Sequence, residues 1–193
     1  PNTTYHFRAK AVGDGVAYGA DGQFTTGTTP PSVTTNDAGN IGTNSAQLKG
    51  DLKSLGTADK VSVSFVWGTN PGGPYPNETA SQVMTSTGAF YFDTDNLKPG
   101  VTYYHKAKAV GDGTSYGTER SFATLTVLPS VETNAAGNIG TDSARLNGNL
   151  TSLGTAEEVS VSFLWGTTAG GPYSDETTAQ KMIGTGAFYF DLG

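Results

Sequence analysis

The residues able to do chemistry are few, and their spacing argues against catalysis. His6 and His105 are the only histidines, and they do not fall at equivalent positions of the 98-residue period described below. An acid-base or metal role needs partners that recur with the imidazole, and none do. Asp14 and Asp112 sit in two identical Gly-Asp-Gly triplets, whose composition is that of a hairpin turn. Calcium there would need several further oxygen ligands. Asp37 in NDAGN looks ligand-like, but Ala135 stands 98 residues further on. Cysteine is absent, which excludes disulfides and thiolate zinc sites. No Ser/His/Asp grouping, phosphate-cradling glycine loop or recurring carboxylate pair is visible. A protein that is not an enzyme, with no cofactor and no metal, is expected.

Surface chemistry offers more candidates. Asn2, Asn77 and Asn149 each open an Asn-x-Thr sequon for N-glycosylation. Thr25, Thr26, Thr28 and Thr29 beside Pro30 form a mucin-like patch for O-glycans. Tyr75 and Tyr173, in two GGPY loops, are candidates for a carbohydrate or partner contact. Trp67 and Trp165 resemble sugar-stacking platforms, but they share the phase of Val61, Val63 and Phe65 and, in the second case, of Phe163. Trp67, Trp165, Phe65 and Phe163 are therefore expected in the core, where truncating Trp67 to Ala costs roughly 3–5 kcal/mol.

These candidates come in pairs because the chain repeats. A shift of 98 aligns Pro1 with Pro99, Trp67 with Trp165 and Phe92 with Phe190 without a gap, and 59 of the 95 overlapping pairs are identical. Residues 1–26 read as the last two strands of a unit. Tyr5, Phe7, Ala9, Ala11 and Phe24 form their inward set, with period-two alternation. Residues 27–30 are a Thr/Gly/Pro linker. Residues 31–124 make one complete unit, 125–128 a second linker, and 129–193 the first strands of a further unit, without its last two. Leu125, Val127 and Leu128 suggest that the second joint is the more buried. The chain is expected to be processed or an excerpt.

Short strands at turn-punctuated spacing indicate an all-β fold of tandem seven-stranded β-sandwiches. Val61–Trp67 is the clearest strand, Ser45–Leu52 precedes it with Gly50 marking a bulge, and Ala89–Phe92 follows. The formal net charge is −6, and 11 scattered Lys and Arg leave no nucleic-acid footprint. No apolar run approaches the ~18 residues of a membrane span.

SAQLKGDL and SARLNGNL, FVWGT and FLWGT, and LKPGVTYYHKAKAVGDGTSYG resemble the fibronectin type III-like, immunoglobulin-like tandem repeats of bacterial and archaeal extracellular surface proteins. That resemblance implies a corner tyrosine that ties down the loop before it, at Tyr5 and Tyr103. It also implies an extracellular or cell-surface location. With the repeat, it leads to the expectation of a structural component of an extracellular filament, its copies joined head to tail by a covalent array or by strand complementation, with glycans as possible partners. The alternative is a stalk, spacer or binding module of a surface adhesin or secreted carbohydrate-active enzyme.

Overall fold

Alternating apolar and polar residues become antiparallel strands throughout the computed structural model, which describes residues 1–193 and is all-β. Two compact units divide the chain, Pro1–Leu125 and Thr126–Gly193.

The first unit opens with β1 (Thr4–Phe7), β2 (Lys10–Val12), β3 (Val16–Tyr18) and β4 (Gly22–Thr25). β1 pairs with β4, and β2 pairs with β3 across Gly13-Asp14-Gly15. The Gly13 N–H donates to the Gly15 carbonyl at 2.9 Å, so Asp14 serves the turn. The expected inward set is not buried. Tyr5, Phe7 and Phe24 are 50%, 60% and 53% exposed, because no second sheet covers this ribbon. The Tyr5 and Phe24 rings stack on each other instead, with centroids 5.3 Å apart.

A two-sheet sandwich follows. Its strands are β5 (Ser32–Gly39), β6 (Ala46–Ser54), β7 (Val61–Gly68), β8 (Asn77–Glu78), β9 (Gln82–Met84), β10 (Gly88–Thr94), β11 (Thr102–Val110), β12 (Thr114–Tyr116) and β13 (Arg120–Ala123). One sheet has the order β10-β6-β5. In the other, β7 lies between β11 and the short β8 and β9, while β12 and β13 line the far edge of β11. Nine segments stand where seven strands are expected, since an edge strand on each side is broken in two. The inner faces meet through Val33, Leu48, Leu52 and Phe90 from one sheet and Val61, Val63, Phe65, Ala107 and Phe122 from the other. A hydrogen bond ties the sheets together: the Ala107 N–H donates to Thr35 Oγ1 at 2.9 Å.

Gly50 makes no bulge. The register shifts of β5 against β6 fall at Ser32/Val33 and Asn36/Gly39, and Gly50 pairs regularly with Thr35 and Phe90. Its missing side chain makes room for the Phe90 ring, which would lie 2.9 Å from a Cβ placed there.

In the second unit, β14 (Ser130–Gly137), β15 (Ala144–Ser152), β16 (Val159–Val161), β17 (Leu164–Trp165), β18 (Asp175–Glu176), β19 (Gln180–Met182) and β20 (Gly186–Leu192) repeat the pattern. The sheet β14-β15-β20 reproduces β5-β6-β10, bulges included. The counterpart of β7 is in two pieces. β16 pairs only with β19, and β17 only with β18. β7 has β11 along its whole other edge, and no strand of the second unit occupies that place. The joint beside this unit is not buried as expected: Leu125, Val127 and Leu128 are all exposed. Matching backbone bonds tie each linker to its own unit, Thr57 N–H to Thr29 O at 3.0 Å in the first and Thr155 N–H to Val127 O at 2.9 Å in the second.

Candidate functional site

The outer face of the β7–β11 sheet carries a groove of about 390 Å³ lined by Val66, Tyr75, Glu78, Lys106, Lys108 and Tyr116. Strand register builds it. Glu78 lies opposite Val66, which lies opposite Lys106. In the next outward row, Ser64 lies opposite Lys108, which lies opposite Tyr116. Period-two alternation sends the intervening residues into the core, so these outward positions form a continuous surface.

The polar groups are held in place by one another. Lys108 Nζ donates to both Glu78 oxygens at 2.9 and 3.0 Å, and Ser64 Oγ donates to Glu78 Oε1 at 2.7 Å. The Ser64 hydroxyl and then the Lys108 ammonium hold the Glu78 carboxyl below its ordinary range, and the carboxylate raises Lys108 in turn. The Tyr75 hydroxyl donates to Glu119, which also accepts the Gly72 N–H at 2.9 Å. Burial, followed by the Glu119 carboxylate, pushes the Tyr75 phenol up to about 12. Lys106 Nζ stands 5.4 Å from the centre of the Tyr75 ring. The groove therefore offers two aromatic faces, two ammonium groups and two carboxylates with formally balanced charge.

The same constellation recurs in sequence. Tyr173, Glu176, Lys10 and Tyr18 stand at the positions of Tyr75, Glu78, Lys108 and Tyr116, while Leu164, Arg8 and Asp21 replace Val66, Lys106 and Glu119 by residues of the same kind. The local registers recur as well, Leu164 opposite Glu176 and Lys10 opposite Tyr18. The outer face of the opposite sheet behaves differently. Along β6, the outward residues Gln47, Lys49, Asp51 and Lys53 become Arg145, Asn147, Asn149 and Thr151. Close packing holds inward positions constant, but outward positions are free of that constraint. On that opposite sheet the change is confined largely to β6, since the outward Ala89, Tyr91 and Asp93 of β10 recur as Ala187, Tyr189 and Asp191. Sequence reasoning picked out Tyr75 and Tyr173 but missed the rest. The signal was there in the type-preserving pairs Lys106/Arg8 and Glu119/Asp21.

The other sequence candidates are dispersed. Phe65 and Phe163 are buried in their units. Trp67 is half-buried, edge-on to Tyr103 at 5.6 Å. Trp165 departs from the expected core position and is 40% exposed, since nothing in its unit covers it as Tyr103 covers Trp67. Tyr103 is buried, and its hydroxyl accepts the Lys98 N–H at 2.9 Å, five residues upstream. Tyr5, at the matching position of the first ribbon, is exposed. Asn2 is exposed with a left-handed φ of 50°, Asn77 is half-buried in β8, and Asn149 is half-buried in the central strand β15. Thr25 and Thr26 hydroxyls bond across the ribbon to Thr4 and Thr3, whereas Thr28 and Thr29 are exposed.

His105 is fully buried between Phe65 and Phe122. Its Nε2 lies 3.2 Å from the Asn36 carbonyl, which can only accept, so Nε2 carries the proton. Nδ1 has no partner, and burial lowers the imidazole pKa.

No family model matches the chain, and no curated protein does. Among solved structures, similar ones are the sensor domain of the anti-sigma factor RsgI4 in Pseudobacteroides cellulosolvens. The short form has 19% identity, covers 50% of this chain and 96% of that one, and has a TM-score of 0.43. A solution structure of the domain has 20% identity, covers 49% and 75%, and has a TM-score of 0.41. The long form has 18% identity, covers 56% and 99%, and has a TM-score of 0.35. The expected filament component, and the fibril and structural-protein reading that went with it, are corrected here. The solved structures named above are sensor domains of an anti-sigma factor, not filament components, adhesin stalks or enzyme spacers. Of the fibronectin type III-like resemblance, the β-rich fold remains.

Proposed function

We propose that the chain is an extracellular recognition module that binds a neutral glycan across the β7–β11 face. The observation that carries it is the preservation of the groove residues in type between repeats, while the outward row of β6 on the opposite sheet changes at all four positions. The chemistry selects the ligand class. Tyrosine rings stack on the apolar face of a sugar, and fixed carboxylates and ammonium groups accept from and donate to its hydroxyls. The balanced charge disfavours a polyanion, and with Val66 the main apolar residue in the lining there is little to bury an apolar peptide. The volume lies at the small end of the ~300–1,000 Å³ of small-ligand sites, enough for a short oligosaccharide.

Isothermal titration against a panel of neutral and anionic oligosaccharides tests this. Saturable binding of a neutral sugar is expected, with Tyr75→Ala or Tyr116→Ala weakening it about tenfold or more, equivalent to ~1.4 kcal/mol. Lys49→Ala, on the opposite face, should leave affinity unchanged. Absence of binding to every neutral sugar, or tyrosine variants that bind as the parent does, would sink the proposal.

A further inference from the structure

We infer that Glu119 is a positioning residue, a latch that ties the loop carrying Tyr75 to the β12–β13 connection and so preforms one wall of the groove. Its effect on affinity rests on the glycan reading, whereas the latch itself does not. The groove's two tyrosines stand on different supports. Tyr116 ends β12 opposite Lys108. The next residue, Gly117, is anchored to the sandwich: its N–H donates to the Ala107 carbonyl at 2.9 Å. A Cβ at Gly117 would lie 2.5 Å from the Thr35 nitrogen, so the backbone here is pressed against β5. Tyr75 has no strand beneath it. It belongs to the loop of residues 69–76, where Pro71, Pro74 and Pro76 have no N–H to donate. The base of that loop closes on β7, since a Cβ at Gly68 would lie 2.9 Å from the Pro76 ring.

Glu119 joins the two supports. It lies three residues after Tyr116, between β12 and β13. A single oxygen, Oε2, accepts both the Tyr75 hydroxyl and the Gly72 N–H, the latter at 2.9 Å. Gly72 sits at the loop tip with a left-handed φ of 74°, and nothing lies within 4 Å of a Cβ placed there. The hydrogen bond to Glu119, not packing on that side, holds the tip. The Tyr75 hydroxyl first, then the Gly72 N–H and more weakly Lys106 keep the Glu119 carboxyl below its ordinary range, so it is an ionised acceptor at neutral pH. Glu119 is not among the residues lining the groove. It therefore acts on a bound molecule through Tyr75. A loop free to move must be ordered when a ligand binds, at a cost in entropy, and a latched loop has already been ordered by folding. Glu119 thus carries the fixed position of Tyr116 and Gly117 across to Tyr75.

Amide hydrogen exchange at Gly72, read by NMR with no ligand present, is the first measurement. The Gly72 N–H should be protected in the parent and in Glu119→Gln, whose side-chain carbonyl can take the place of Oε2. In Glu119→Ala it should exchange about tenfold faster or more. The Tyr75 phenol, isolated as the difference between the titrations of the parent and of Tyr75→Phe, should titrate at about 12 in the parent and fall toward 10.0 in Glu119→Ala. Unchanged circular dichroism shows that the variants keep the sandwich. The second measurement is calorimetric titration with cellohexaose, maltohexaose and xylohexaose. For whichever binds, affinity should fall about tenfold in Glu119→Ala and return to within about threefold of the parent in Glu119→Gln. Adding Glu119→Ala to Tyr75→Ala should cost nothing beyond Tyr75→Ala alone, because Glu119 acts through that ring. Gly72 exchange that is equal in the parent and Glu119→Ala overturns the latch. Faster exchange with unchanged affinity, or additive losses in the double variant, overturns its role in binding. If none of the sugars binds the parent while the exchange difference holds, the glycan reading falls and the latch is upheld.

Discussion

His105 shows how far one residue can depart from its type. Buried between two aromatic rings with Nδ1 unpartnered, it has its charged form disfavoured by desolvation, against the weaker pull of the Asn36 carbonyl and then of Asp37. Its folded pKa lies below the unfolded value of 6.5. Below that pH the unfolded chain binds a proton that the native chain resists, so stability is present above pH 6.5 and is lost as pH falls toward the folded pKa. The equivalent residue in the first ribbon is Phe7, which suggests the test. His105→Phe should flatten the denaturant midpoint between pH 7 and pH 5, and a slope equal to the parent's would refute this. At Tyr103 the hydroxyl alone matters. Tyr103→Phe should cost about 1 kcal/mol in chemical denaturation, one hydrogen bond to Lys98. The groove contains no histidine and should be indifferent to pH. Its carboxyls Glu78 and Glu119 are lowered, Lys108 is raised and Tyr75 sits at about 12, so glycan affinity should be constant from pH 6 to pH 9.

At the scale of elements, β7 and its counterpart compare nearly identical sequences in different surroundings. VSVSFVWG is one continuous strand beside β11, and VSVSFLWG is broken into β16 and β17 without such a neighbour. A strand's length is thus set by its pairing as well as its composition, which explains what the sequence showed and hid. Alternation in Val61–Trp67 located the strand and its buried face. It could not show that Trp165 would be exposed, because the covering group is a residue on another strand. The glycine of β6 was misread for a similar reason. A glycine inside a strand signals either a bulge or a close approach, and only the Phe90 ring above it decides. Gly50→Ala would bring its Cβ within 3.0 Å of the Thr34 carbonyl as well as against that ring. It should destabilise the first unit by roughly 1–3 kcal/mol, as overpacking does. The groove was only partly legible, since Tyr75 and Tyr173 stood out as loop aromatics while Lys106 and Lys108 looked like any solvated lysines until register placed them beside Glu78 and Tyr116.

At the scale of the whole molecule, the first unit holds a complete two-sheet sandwich and the second repeats its three-stranded sheet. The complete repeat also contains a glycine facing a phenylalanine across β6 and β10, and Gly148 faces Phe188 in the same way, with ring atoms again too close to allow a Cβ. This makes the two strand pairs interchangeable parts. A chimera that exchanges residues 46–54 and 88–94 for 144–152 and 186–192 would transplant bump and hollow together. Recombination between the repeats could therefore reshuffle the changeable outer face without disturbing the interior beneath it.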